Sequence, residues 1–328
     1  MSVTENILLL RLKSIGDIVF TLPAVHAVRD HFPRARLQFL VSREFAPLLS
    51  GFADVDEIIP LDRSAFRRGN LKAAAVSAWD LLRRLRDEHF SLAIDFQGYS
   101  ETEWLTWWSG APERWGNVYN PSRGWTYTHP SPRDVHTHPA EWNLALLRRG
   151  GLRIERIRNE FRLPAEAEGA AEEFFIAHRL ASDAATIFIQ PFTSNPQKNW
   201  PLEKFLALAR HFRSQKIQVI FGGGAADRPA LGSAMAEGFP VSAGAPLLVS
   251  GAIAARSTVV LGADTGLLHL AVALGRRVVM LMYSNAPGTS HPFQHPDWTV
   301  TPADGVNVPG IAPATVIAAV EGALRDRQ

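Results

Sequence analysis

The chain has 328 residues, enough for two domains of ordinary size, and its 46% hydrophobic content supplies a core for each. With 34 basic against 32 acidic side chains the formal net charge is only +2, which gives no ground for a general nucleic-acid binder. The absence of cysteine excludes disulfides and thiolate metal sites.

Residues 6–12 form a nearly continuous apolar run, the pattern of a strand buried in a parallel sheet. A turn over 13–17 leads into a helical pattern with Ile18, Leu22, Val25, Val28 and Phe32 on one face, and Pro23 is expected to kink its first turns. Strands are predicted over 36–41 and 57–60. Leu71, Ala75, Ala78, Leu82 and Leu85 then mark an amphipathic helix, followed by a buried strand over 91–96. Residues 110–137 are rich in Pro, Gly, Trp and His without periodicity and read as loop. A helix over 141–149 closes at Gly150-Gly151, and residues 161–169 read as the linker.

The alternation then restarts. A strand over 186–190, a helix over 202–214 opened by Pro201, and a strand over 217–221 lead to Gly222-Gly223-Gly224. After a further helix, residues 259–275 read as a buried strand, a tight turn at Asp264-Thr265-Gly266 and a short apolar helix ending at a glycine. A strand over 277–282 and a helix over 314–325 complete the chain. The fold class is therefore α/β, with two doubly wound, Rossmann-like domains facing a central cleft. Apolar runs such as 7–10 and 278–282 fall well short of the ~20 residues that span a bilayer. Together with a start that lacks a signal-peptide pattern, this predicts a soluble cytoplasmic enzyme, with peripheral contact at the inner face of the membrane left open.

Four segments can carry chemistry. The Asp264-Thr265-Gly266 turn lies where open α/β sheets bind ligands, and the helix start after it offers free N–H groups to an anion, so it reads as half of a diphosphate site. Its bland alternative is an N-cap at Asp264. His269, within two turns of that helix start, is either a packed core group or a phosphate or sugar contact. Lys198-Asn199-Trp200-Pro201, after the polar turn at Thr193-Ser194, could bring a mobile cation and hydroxyl donors to a phosphate, or be a solvated loop. Gly222-Gly223-Gly224 lacks the spacing of a dinucleotide fingerprint; it lets a ribose come close, with Asp227 as partner, or is a plain turn. Ser14-Ile15-Gly16-Asp17 either caps a helix through Asp17 or places a carboxylate where it could take a proton from a substrate hydroxyl.

Other features read more simply. His129, His136 and His138 are expected as loop histidines, since no metal-ligand spacing accompanies them. Arg63, Arg67, Arg68, Lys72, Arg83, Arg84 and Arg86 make a basic stretch, either a solvated helix face or a surface for an anionic, membrane-held acceptor. Trp104, Trp107, Trp108, Trp115 and Trp125 either stack on sugar rings or fill core and loop contacts.

Taken in order, residues 7–24, Asp95-Phe96-Gln97-Gly98, Lys198-Asn199-Trp200-Pro201, Gly222-Gly223 and the run from Asp264 to Ala271 resemble glycosyltransferase family 9, the ADP-heptose:lipopolysaccharide heptosyltransferases. The resemblance implies a GT-B fold, with an acceptor-binding domain over 1–163 and a nucleotide-sugar domain over 164–328. It implies inversion at the anomeric carbon without a metal or other cofactor, and Asp17 as base. Ser14, Gly16, Asp95 and Gln97 would serve the acceptor, an anionic glycan or glycolipid. Thr193, Ser194, Lys198, Gly223, Asp227, Asp264, Thr265, Gly266 and His269 would hold the nucleotide-sugar donor, Lys198 stabilising the leaving diphosphate. The chain departs from the family pattern on the acceptor side, with Glu101 for a lysine and Trp142 for an arginine. Two rivals are a nucleotide-sugar epimerase or isomerase, which needs no acceptor, and a non-catalytic nucleotide- or glycan-binding protein.

Overall fold

In the computed structural model, residues 5–62, 71–119, 121–303 and 307–326 are described. The chain divides into two compact units, Met1–Glu160 and Phe161–Gln328, against an expected division after residue 163.

The first unit contains strands β1 (Asn6–Leu10), β2 (Arg36–Ser42), β3 (Glu57–Leu61), β4 (Leu92–Asp95), β5 (Glu113–Val118) and β6 (His129–Pro132). Its helices are α1 (Ile15–Val19), α2 (Leu22–His31), α3 (Leu71–Asp87), α4 (Ser100–Trp108) and α5 (Pro139–Arg149). All six strands pair in parallel in the order β3-β2-β1-β4-β5-β6. The apolar runs are buried as their composition requires: Leu8, Leu9, Leu10, Ala93 and Ile94 have no exposed surface.

The second unit contains β7 (Thr186–Gln190), β8 (Gln218–Gly223), β9 (Val241–Ala243), β10 (Val259–Ala263), β11 (Arg277–Leu281) and β12 (Thr299–Val300). Its helices are α6 (Ala165–Ala177), α7 (Leu202–Ser214), α8 (Gly232–Ala236), α9 (Leu247–Ala255), α10 (Gly266–Ala273) and α11 (Pro313–Arg325). The order β12-β11-β10-β7-β8-β9, again parallel, repeats the arrangement of the first sheet when read from the other edge. Each sheet thus reverses its winding at one point, between β1 and β4 and between β7 and β10. The carboxyl ends of those strands frame the crevice where such sheets bind ligands.

Several expectations are corrected. The helix expected to run from residue 18 with a kink is broken instead: α1 ends at Val19, and Pro23 stands in the first turn of α2, where its missing N–H does no harm. The segment 110–137 is not all loop but holds β5 and β6. Its inward side chains include Asn117 and Ser131, so it shows no apolar run. The linker residues 165–169 already belong to α6. Among the histidines, His138 is an N-cap whose Nδ1 accepts from the Ala140 N–H at 3.1 Å, and His129 faces Glu113. Trp115 is core, whereas Trp104, Trp107, Trp108 and Trp125 are exposed. Arg63, Arg67 and Arg68 lie outside the described residues.

Candidate active site

In the second unit the two polar turns at the switch point meet. Lys198 Nζ donates to Asp264 Oδ2 at 2.9 Å, and Ser290 Oγ donates to the same oxygen at 2.9 Å. His269 Nε2 lies 2.9 Å from Asp264 Oδ1. Burial pushes the Asp264 carboxyl upward, but hydrogen bonding and charge from His269 and Lys198 outweigh it and hold the group below the ordinary carboxylate range. The cap of α10 is Thr265, not Asp264; its side chain accepts from the Leu268 N–H. Gly266 opens the helix, and the buried His269 is a turn further along it.

The local sequence explains how Lys198 reaches this place. Trp200 is buried and its indole N–H donates to Ile311 O at 2.9 Å, which pins the segment to the core. Asn199 Oδ1 accepts from Thr193 N at 2.8 Å, tying the two halves of the turn. Thr193 Oγ1 is engaged within the turn by Asn195, while Ser194 is exposed. Lys198 keeps 39% of its side-chain surface, so it remains open to a ligand.

Gly222 and Gly223 end β8. A Cβ at Gly222 would come within 2.2 Å of the Phe188 ring, so packing alone demands glycine there. Asp227 Oδ2 accepts from Gly224 N at 2.8 Å and closes a short helical turn over Ala225–Asp227. That is the plain-turn reading of the glycine run. Asp227 lies outside the Asp264 cluster.

In the first unit the carboxyl end of β1 carries Asp17. Here the cap is Ser14, and Asp17 is its reciprocal partner at the third helical position: Asp17 Oδ2 accepts from Ser14 N at 3.2 Å and Ser14 Oγ at 3.1 Å. Its other oxygen meets Arg11 Nη2 at 2.9 Å, and 39% of the side chain stays exposed. Gly16 lies within this turn. Arg11 is nearly buried; it also donates from Nε to Lys13 O at 2.9 Å and from Nη1 to Phe96 O at 2.8 Å.

Asp95 and Gln97 stand behind this turn rather than on a surface. Asp95 is fully buried, and its Oδ1 accepts from the N–H groups of Gln97 at 2.8 Å and Gly98 at 3.0 Å. Tyr127 O–H donates to its Oδ2 at 2.8 Å. Burial raises the Asp95 carboxyl above its usual range despite these donors. Gln97 Oε1 accepts from Leu12 N at 2.9 Å and Lys13 N at 3.3 Å, so it fixes the start of the Asp17 turn. Both side chains, which the sequence reading had serving the acceptor, are walled in and bonded to the backbone of these loops.

Four residues had no place in the sequence reading of the site. Arg11 is a cation at the end of a buried strand; that position demands a partner, and this was its only signal. Ser290 lies on a loop 26 residues beyond Asp264 and has no local signal. Tyr119 feels the charges of Arg11, Arg133 and Asp17, although burial is the main cause that raises its phenol. The Arg133 guanidinium lies 3.9 Å from the Trp142 ring centroid and 4.8 Å from that of Tyr119. The ring that stands where an arginine was expected therefore carries a guanidinium supplied by another residue.

The profile of glycosyltransferase family 9 (heptosyltransferase) matches residues 78–302. The chain belongs to this family. Lipopolysaccharide heptosyltransferase 1 of Escherichia coli K12 is 23% identical over 296 residues, 86% of this chain and 89% of that protein. The crystal structure of a family 9 glycosyltransferase from Veillonella parvula superposes with a TM-score of 0.84 at 18% identity, covering 99% of both chains. The E. coli heptosyltransferase WaaC with ADP-2-deoxy-2-fluoro heptose gives 0.76 at 22% identity, covering 97% of this chain and 99% of that one. The glycosyltransferase thus has the GT-B fold of those structures. Among its described residues no group of three or more His, Asp or Glu side chains is placed to hold a metal ion.

Proposed function

We propose that this glycosyltransferase moves a heptose from ADP-heptose to a hydroxyl of a lipopolysaccharide-core or related cell-envelope glycan, with inversion and without a metal ion. The observation that carries the reading is the cluster of Lys198, Asp264, His269 and Ser290 beside the start of α10, at the switch point of the second sheet. The relative named as a lipopolysaccharide heptosyltransferase and the WaaC structure holding a fluorinated ADP-heptose support the donor and acceptor classes.

In this reading the acceptor oxygen attacks the anomeric carbon as the bond from that carbon to the ADP oxygen breaks. The proton of the attacking hydroxyl passes to the Asp17 carboxylate, and the electron pair of the broken bond leaves on the diphosphate. Arg11 fixes Asp17 by a bond to one oxygen and leaves the carboxylate partly exposed. Lys198 and the N–H groups at the start of α10 offset the charge that grows on the leaving phosphate, which lowers the barrier more than it tightens ground-state binding. Asp264 orients Lys198, with His269 bracing its other oxygen. Thr193, Ser194, Gly223, Asp227, Thr265 and Gly266 complete the donor surface, and Arg133 on its aromatic bed meets an anionic group of the acceptor. In this reading the transfer takes place in the cytoplasm.

The test is a panel of nucleotide sugars in a thermal-shift assay, followed by product analysis with and without a truncated core acceptor. Selective stabilisation by an ADP sugar, and sugar transfer only when acceptor is present, are expected. An altered sugar released without acceptor would assign an epimerase instead. Donor binding with neither transfer nor donor hydrolysis would assign a binding protein.

A further inference from the structure

Helix α3 carries two unlike faces. Ala78, Leu81, Leu82 and Leu85 point inward, toward the core or toward a recess of about 350 Å³ shared with Trp104, Leu105 and Trp108. Lys72, Val76, Trp79, Arg83 and Arg86 recur at spacings of four, three, four and three, which at 3.6 residues per turn gives one continuous stripe. All five are exposed, Val76 at 61% and Trp79 at 63%. Arg84 turns away to Glu57.

The stripe adjoins a second apolar surface. Arg86 Nη1 donates to Trp108 O at 3.1 Å, and Trp108 Nε1 donates to Leu82 O at 3.2 Å, which locks α4 beside α3. Trp104 and Trp125 are exposed at 55% and 63%, and Trp107 at 41%. Trp104 contacts Trp107 and Trp125 edge to face, at 5.6 and 6.2 Å between ring centroids. The indole N–H groups of Trp79, Trp104, Trp107 and Trp125 donate to no protein group among the described residues.

Solvated helix faces do not usually spend tryptophans. An indole with its ring unburied and its N–H unused suits a boundary that is apolar below and wet above, as does a cation on a long stem beside it. The stripe holds three cations and no carboxylate. Acids at its border among the described residues include Asp80 and Asp87 on the flank of α3, Asp87 lying 3.5 Å from Arg83, and Asp62 and Glu101 at the rim of the recess. We propose that this face of α3 and α4 docks the enzyme on a phospholipid surface with anionic headgroups, the cations meeting phosphates while the tryptophans enter the acyl boundary. The proposal rests on the reading of a lipid-held acceptor and extends it to a named surface.

The test is flotation of the full chain with vesicles of phosphatidylglycerol and phosphatidylethanolamine, or of phosphatidylcholine alone, at two salt concentrations. Binding to the anionic vesicles that weakens with salt is expected. Lys72→Gln with Arg83→Gln should lower that binding about 30-fold, and Trp79→Ser with Trp107→Ser should weaken it at both salt concentrations. ADP-sugar binding by calorimetry should be unchanged in both pairs, which shows the fold intact and separates failure here from failure of the enzymatic reading. Absence of anionic-vesicle binding would overturn the proposal, as would equal binding to both vesicle types that neither pair disturbs. A concentration-dependent dimer without vesicle binding, dissolved by both pairs, would overturn it too and assign the face to a second copy of this chain.

Discussion

Asp264 shows how one side chain can be read twice. Its place at a strand end before a helix fits a cap, but Thr265 holds that position and frees the carboxylate for Lys198, Ser290 and His269. Because these partners hold its folded-state pKa below the ordinary value, the stability they add is complete above ~3.9 and is lost as pH falls below it. In urea or thermal titrations, Asp264→Asn should therefore lose less stability than wild type between about pH 4 and pH 2. An acid limb identical to wild type would remove these pairs from the energetics. The sequence made Asp264 and Lys198 legible, since each stands in a polar turn after an apolar strand, and His269 legible as a lone polar residue on the short apolar helix that follows. It could not reveal Ser290, which arrives only through tertiary folding. Asp95 and Gln97 were legible as polar groups in a turn, but only burial tells that they face inward.

At the scale of elements, the parallel strands were the most legible part, because a strand covered on both faces must be apolar throughout. Strands β5 and β6 escaped for the opposite reason. Asn117 is spent inside on Phe96 O at 3.2 Å, and Gly116 makes room for the Tyr127 ring, so the strand carries little apolar signal. β6 is an edge strand with two prolines, which edges tolerate and interiors do not. The turn after β4, whose Gln97 bonds the start of the Asp17 turn, is tightly constrained. Gly98 has φ +68°, and a Cβ there would sit 1.9 Å from Asn117 O. Gly98→Ala should destabilise the protein by at least ~2 kcal/mol, read as a fall in denaturation midpoint. It should also lower transfer activity in the folded fraction, because Gln97 would no longer hold the start of the Asp17 turn. A stable variant with normal activity would detach that turn from the role proposed for Asp17.

At the scale of the molecule, the two units repeat one strand order, and in each the residues proposed for the chemistry stand at the same topological place. The alternation of strand and helix was enough to foresee this duplication. The division of labour between the units is the larger claim, and it rests on chemistry: a carboxylate held by arginine in one, a lysine and a helix start in the other. The measurement that tests it most directly pairs calorimetric donor binding with acceptor-dependent turnover for Asp17→Asn and Lys198→Ala. The expected result is that Asp17→Asn binds the ADP sugar as wild type does while transfer falls by a factor of at least ~100, the lower end for loss of a positioned base. Lys198→Ala should slow transfer by ~100-fold or more and weaken ADP binding as well. Near-normal turnover in Asp17→Asn, or loss of donor binding in that variant with Lys198→Ala unaffected, would contradict the assignment of base and leaving-group support to these two units.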